Sequence, residues 1–108
     1  MKWLGDILTS AEIILSATGG KSIGDYRSDA IVRGAVERHF EIIGEAVNRI
    51  ARHDPGTAEK IGNYPKIISF RNLLAHGYDL VDDDEVWEVV RNDLPVLREQ
   101  VKELLESE

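Results

Sequence analysis

The chain of 108 residues contains no cysteine, which excludes disulfide bridges and any metal site with cysteine ligands. Basic residues are in the minority: 13 lysines and arginines stand against 20 aspartates and glutamates, so the formal net charge is -7. The first residues carry an acid at Asp6 and no long apolar run, so neither a signal peptide nor a membrane span is expected. Strand-like alternation, internal repeats and low-complexity tracts are also missing. These features predict one cytoplasmic, all-α domain over residues 1–108.

The charge is unevenly distributed along the chain. Residues 1–78 contain 10 basic and 9 acidic side chains, whereas residues 79–108 contain 3 basic and 11 acidic ones. Because the acidic C-terminal part repels a polyanion, we expect any contact with RNA in the earlier part. The candidate RNA-contacting residues there are Arg33, Arg38, Arg49 and Arg52. The alternative is that these arginines are ordinary solvent-exposed charges on helix surfaces.

Apolar residues at helical spacing, together with capping residues, predict an antiparallel bundle of four to five helices. The predicted helices cover residues 3–17, residues 28–53, a stretch from Pro65 to Gly77, a stretch after Asp82, and a last helix that restarts beyond a break at Asn92-Asp93. Residues 21–27 are interpreted as a polar loop.

The second predicted helix is the longest and carries more apolar residues than one core can use. One stripe includes Val36 and Ile43, and further apolar side chains such as Phe40 lie outside it. We therefore predict one face that packs within the chain and another that packs against a second subunit, with Gly34 and Gly44 allowing close backbone approach. The alternative is a central helix that is buried on most sides within one bundle.

Several titratable residues have structural explanations. Asp82 and Glu85 match a capping box at a helix start, an explanation that we prefer to a carboxylate metal site, so no metal ligand is predicted. His39 lies on the apolar stripe and is expected to be a hydrogen-bonded core or interface residue. His53 is expected to interact with the C-terminus of its helix.

Residues 71–78, which read RNLLAHGY, combine a fixed cation, a carboxamide, an imidazole and a phenol. On a helix, Asn72 and His76 lie one turn apart, and Arg71 and Tyr78 share the neighbouring row. Arginine offers planar, bidentate donors to phosphate, and histidine exchanges a proton near neutral pH. The stretch therefore predicts a site for phosphate chemistry.

This stretch resembles the R-x4-H-x-Y motif of the HepT-like proteins, which belong to the HEPN superfamily. Residues 40–46, which read FEIIGEA, are similar to the IGEA helix of that family, and residues 81–87 are similar to the segment after the motif. The matches occur in the same order along nearly the whole chain.

The resemblance implies a homodimeric, metal-independent endoribonuclease that is the toxin of a toxin–antitoxin pair. The implied antitoxin is a minimal nucleotidyltransferase of the MntA type, which transfers AMP from ATP to the motif tyrosine, here Tyr78; no cofactor besides this covalent AMP is expected. RNA would be cleaved where the two motifs of the dimer face each other. The implied catalytic residues are His76 for acid–base work, Arg71 for phosphoryl charge, and Asn72 for orienting His76 or the substrate.

Three other interpretations remain open at this point. In a purely structural one, Arg71 pairs with Glu41 or Glu45, the polar motif residues close the helix end, and Tyr78 packs as a lid. In the second, the chain is a non-catalytic partner that presents a nucleotide or substrate to a nucleotidyltransferase. In the third, it is a dimerisation module.

Overall fold

The structure, a computed structural model, describes residues 1–77 and 80–108. These residues form seven α-helices and a π-helical segment: α1 (Lys2–Thr18), α2 (Ile23–Ser28), α3 (Ala30–His53), α4 (Pro55–Glu59), α5 (Tyr64–His76), α6 (Asp83–Glu88), the π-helical segment (Val89–Asp93) and α7 (Leu94–Glu106). Because the described residues include no strand, the predicted all-α class is confirmed. No helix within them combines the length and the apolar composition needed to cross a membrane.

The four long helices α1, α3, α5 and α7 form the bundle. Helix α1 packs against both α3 and α7, and α3 packs in turn against α5. Contacts near both ends of α1 show its direction: Trp3 with His53 and Ser10 with His39 in α3, Met1 with Glu108 and Glu12 with Arg98 at α7. Both pairs are antiparallel, as predicted.

Helix α3 is the centre of the fold, because it packs against α1, α2, α4 and α5. Its apolar side chains are mostly buried within the chain, including Phe40, whose ring packs edge-to-face on Phe70 with centroids 5.2 Å apart. This arrangement matches the alternative of a central helix buried on several sides. Among its apolar residues, Ile31 remains 86% exposed and Ile42 is half-buried. A face for a second subunit therefore stays a prediction.

The ends of α3 and α5 follow the sequence signals. The Asp29 side chain accepts hydrogen bonds from the backbone N–H groups of Ile31 and Val32, both at 3.1 Å, and so caps α3. Pro65 lies in the first turn of α5, and Gly77 is its C-cap. These boundaries place the RNLLAH sequence in the last two turns of α5.

Residues 21–27 are largely helical, so their interpretation as a polar loop was wrong. Ser22 and Asp25 form a reciprocal capping box at the start of α2, and the apolar body of Tyr26 is fully buried. The Ser-x-x-Asp spacing could have revealed this helix. Its single buried aromatic explains why hydrophobic periodicity did not.

The segment after Asp82 differs from the prediction in two respects, the cap at the start of α6 and the expected break before α7. Asp82 caps α6 by accepting from the Asp84 N–H at 2.9 Å, but among the described residues the reciprocal bond from Glu85 is not formed. The chain also does not break at Asn92-Asp93. It continues as a π-helical turn in which Leu94 N–H bonds to the Val89 carbonyl, five residues back. A π turn shifts the bonding register next to Pro95, which has no N–H of its own.

Candidate functional site

Helix α5 approaches α3 closely at Gly44. A Cβ atom added to Gly44 would lie 2.1 Å from Cβ and 2.5 Å from Cγ of Arg71, which is steric overlap, so a larger residue would force the helices apart. The close approach predicted for Gly44 therefore occurs within the chain, because this glycine faces α5. Around Gly34, by contrast, a Cβ atom would meet nothing within 4 Å among the described residues.

Two neighbouring side chains orient the guanidinium of Arg71. Its Nη2 donates to Oε2 of Glu45 at 3.1 Å, and its Nη1 donates to Oδ1 of Asn72 at 2.9 Å. Glu45 also accepts from Nε of Arg49 at 3.1 Å, so one carboxylate bridges two arginines. Among the described residues these bonds use two of the five N–H donors of Arg71, which leaves the others for an oxyanion. The pairing with Glu45 that the structural interpretation predicted is present and is compatible with anion binding.

His76 is the last residue of α5 and is exposed to solvent. The last helical bond runs from Gly77 N–H to the Leu73 carbonyl at 2.7 Å, and the ψ of 46° at Gly77 then takes the chain out of the helix; a Cβ on Gly77 would lie 2.8 Å from that same oxygen. The predicted helical row of Arg71 and Tyr78 depends on a residue beyond the end of α5. Tyr78 itself lies outside the described residues.

The Arg71 side chain lines a surface hollow of about 440 Å³ between α1, α3 and α5. The lining residues are Lys2, Trp3, Asp6, Arg38, Glu41, Ile42, Glu45, Ala46, Arg49 and Arg71. Four cationic side chains thus stand against three carboxylates, although the whole chain carries a net charge of -7. The formal charge of the lining is therefore +1, which makes this hollow less repulsive to a polyanion than the acidic chain as a whole.

The four candidate RNA-contacting arginines do not all lie on the same surface. Arg38 and Arg49 line the hollow. Arg52 is exposed, and at 100° per residue it lies on the same side of α3. Arg33 lies on a different side of that helix and donates to the backbone carbonyl of Arg27. Three of the four predicted positions therefore share a face with Arg71's hollow, and one does not.

The other two histidines have structural contacts. His39 is half-buried, and its Nδ1 lies 3.0 Å from Oγ of Ser10, so the prediction of a hydrogen-bonded residue is confirmed. His53 is in the last turn of α3, and its ring stacks on Trp3 with centroids 5.4 Å apart. Sequence reasoning missed Trp3 as a lining residue, because no signal links residue 3 to residue 53 before the bundle is formed.

A second group of acids lies outside the hollow. Burial raises the pKa of Glu37 above its ordinary value; the carboxylates of Asp83 and Glu41 add to this shift, and Arg33 opposes it. Burial likewise raises the pKa of the Tyr26 phenol, with Glu37 and Asp83 contributing. In the part of the chain that is described, no three acidic or histidine side chains are placed to hold a metal ion.

The fold and the site define a helical-bundle protein with an arginine-lined hollow between three of its helices. Comparison with known proteins identifies the family: the family model described as "Ribonuclease HepT-like" matches residues 7–104. The chain belongs to the HepT-like ribonucleases, a family of endoribonucleases, and RNA as its substrate class follows from that membership.

Three relatives illustrate the match. "Putative RNase TTE0752" of Caldanaerobacter subterraneus subsp. tengcongensis is 32% identical over 98% of this chain and 94% of its own length. "Putative RNase MJ1380" of Methanocaldococcus jannaschii is 33% identical over 93% of this chain and 91% of its own. "Probable ribonuclease HepT" of Thermococcus cleftensis is 30% identical over 94% and 92%. No solved structure matches the chain significantly.

Proposed function

We propose that this chain is the metal-independent endoribonuclease toxin of a HEPN/MNT toxin–antitoxin system, with its catalytic site at the interface of a homodimer. The observation that supports this proposal most strongly is the placement of Arg71. Gly44 lets the base of the Arg71 side chain pack on α3, and Glu45 and Asn72 orient its guanidinium at the edge of the hollow. A preoriented guanidinium stabilises charge that develops on a phosphoryl oxygen without reorganising during the reaction.

The proposed reaction uses the nucleophile that RNA itself carries. The 2′-oxygen attacks the adjacent phosphorus, the bond from phosphorus to the 5′-oxygen breaks, and the products are a 2′,3′-cyclic phosphate and a 5′-hydroxyl. One group takes the proton of the 2′-hydroxyl, and another gives a proton to the leaving 5′-oxygen. Arg71 balances the charge on the phosphorane oxygens. Asn72 holds Arg71 through its amide oxygen and presents its amide N–H₂ to the substrate.

A dimer supplies what one chain lacks in this scheme. The motif contains one histidine, His76, whereas the reaction uses a proton acceptor and a proton donor. The exposure of His76 at the end of α5 supports a role completed by a second chain. Two-fold symmetry would bring two copies of Arg71 and His76 to one phosphate.

The same proposal includes control by a minimal nucleotidyltransferase antitoxin. It would transfer AMP from ATP to the phenolic oxygen of Tyr78 and release pyrophosphate. Tyr78 follows the last helical turn of the motif by two residues, so an attached AMP phosphate would compete with RNA phosphate for the Arg71 guanidinium. Inhibition would then follow from charge and from steric exclusion.

The first test is cleavage of a labelled RNA by unmodified protein in excess chelator, with mapping of the new ends. We expect cyclic phosphate ends with the wild type and a loss of roughly 100- to 10,000-fold in rate with His76→Ala, the range that general acid–base catalysis provides. Cleavage that needs added metal, or that survives in folded His76→Ala protein, would contradict the mechanism. No cleavage of several RNAs, with retained binding to the transferase, would favour the non-catalytic partner.

The composite site has its own test, in which wild-type and His76→Ala subunits are mixed in varying ratio and allowed to exchange. If both histidines of a dimer are needed, the rate falls with the square of the wild-type fraction, because only wild-type pairs are active. A linear fall would show that each chain carries a complete site.

A further inference from the structure

The Trp3–His53 pair lies beside the Arg71 hollow and has no part in the scheme above. The two rings stack with centroids 5.4 Å apart and planes 25° from parallel. Trp3 is half-buried against the core, which fixes the position of its ring, while His53 is exposed. Because the imidazole covers one face of the indole, the accessible aromatic surface of the pair consists of the exposed His53 ring and the part of the indole that lines the hollow, and the buried part of Trp3 holds this surface in place.

Trp3 shares the lining of the hollow with Arg71, Arg49 and Arg38. The connection runs along α3: Glu45, which bonds to Arg71, is followed one turn later by Arg49 and one turn after that by His53. Eight residues of α-helix span about 12 Å. The aromatic pair is therefore a short distance from the phosphate-binding arginines, along a surface that carries a further guanidinium between them.

We propose that the Trp3–His53 pair is a stacking platform for a nucleobase of single-stranded RNA, next to the nucleotide whose phosphate Arg71 binds. The platform deepens the proposed function and rests on it for its substrate. Backbone phosphates would be held by Arg49 and Arg38 while the base stacks on the aromatic pair, an arrangement that combines charge with base stacking. Bases within a duplex are already stacked, so the platform selects unpaired segments.

Fluorescence offers a direct test, because the chain has only two tryptophans and Trp87 lies on α6, where its ring packs against Tyr26. In a Trp87→Phe background, all tryptophan emission comes from Trp3. The probe is a short single-stranded oligomer of 2′-O-methyl nucleotides, which cannot be cleaved because its 2′-oxygen is blocked. The matched probe has the same phosphate backbone with abasic sites in place of the bases.

We expect saturable quenching of Trp3 emission by the base-bearing oligomer and binding that is roughly 5- to 150-fold weaker for the abasic oligomer, as the energy of one stacked base implies. Trp3→Leu should lose this preference for bases, and Trp3→Phe should keep most of it. Equal binding of both oligomers with unchanged Trp3 emission would overturn the platform and leave the pair as packing between α1 and α3.

The two proposals fail in different ways. If intact RNA is cleaved while Trp3 emission and base preference show no stacking, the ribonuclease proposal stands and the platform is wrong. If the uncleavable oligomer quenches Trp3 but intact RNA is never cleaved, the platform stands and the catalytic proposal is wrong.

Discussion

The two ends of the motif in α5 differ in how firmly the chain holds them. At Arg71 the base of the side chain packs against Gly44 of α3, and the guanidinium bonds to Glu45 and Asn72. Five residues later, His76 is exposed at the end of the helix. In the proposed mechanism, a single chain thus fixes the position of the anion-binding residue, whereas the residue proposed for proton transfer is exposed to solvent.

This difference suits the division of roles in the proposed mechanism. Electrostatic stabilisation depends on preorganised groups, which packing within one bundle can supply. Proton transfer needs donors and acceptors on both sides of the phosphate, and an exposed histidine at a helix end can meet a substrate and a second chain. Substitutions at Arg71 and Gly44 should therefore disturb an arrangement that is set by packing within a single chain.

Arg71→Ala should cause the largest loss of cleavage activity among the substitutions at the firmly held end of the motif. Removing one electrostatic stabiliser of a transition state costs about 100- to 1000-fold in kcat. The unfolding free energy should change by less than about 1 kcal/mol, because the Glu45 ion pair is partly exposed and screened by solvent. Initial rates on labelled RNA and urea denaturation measure the two quantities.

Arg98 provides the matched control for that variant. Its side chain is 33% exposed against 30% for Arg71, and it also pairs with carboxylates, those of Glu12 and Glu99. Arg98→Ala should retain full cleavage with a similarly small loss of stability. Equal losses of cleavage in both variants would show that Arg71 has no special role and would remove the contrast between the two ends of α5.

Gly44→Ala should be the most damaging small substitution for the fold. The added methyl overlaps Arg71, and forcing atoms into a packed interface costs about 1–3 kcal/mol. Cleavage should fall as well, because α5 must move away from α3. Gly34→Ala, in the same helix but facing open space, should instead stabilise by about 0.5–1 kcal/mol through helix propensity. Urea denaturation of both variants measures the difference, and a stable, active Gly44→Ala protein would contradict the close contact.

The contact at Gly44 also shows what sequence reasoning could reach. Periodicity and capping residues are enough to locate the four long helices, because signals such as Asp29, Pro65 and Gly77 affect backbone groups within one helical turn of their own position. Gly44 was recognised as a point of close approach, but its partner is 27 residues away and appears only when α5 packs on α3. Trp3 and His53 are 50 residues apart, so their stack is likewise a product of tertiary structure.

Glu45→Gln should have a smaller effect and should separate binding from catalysis. The amide keeps the shape and one acceptor oxygen but removes the charge that pairs with both Arg49 and Arg71. RNA should bind more tightly because the hollow loses a negative charge, and the salt dependence of binding should become steeper. The rate of the bound complex should fall a few-fold because Arg71 is less well oriented. An unchanged rate of the bound complex would show that Glu45 does not hold Arg71 in its working position, and weaker RNA binding would show that the orientation of Arg71 matters more to binding than the charge of Glu45.

Glu37→Gln should have the smallest effect, and it should depend on pH. Burial raises the pKa of Glu37 from its ordinary value of 4.5, so the folded state binds this proton more tightly than the unfolded state does. Its contribution to the unfolding free energy is therefore fully present at low pH and is lost as pH rises through the raised pKa. The uncharged amide avoids that loss, so the variant should match the wild type near pH 4 and exceed it in stability near pH 7. Urea denaturation at both pH values measures the effect, with the exposed Glu59→Gln as the control. A variant less stable than the wild type at pH 7 would show that the Glu37 carboxylate is stabilised by Arg33 more than it is penalised by burial beside Asp83.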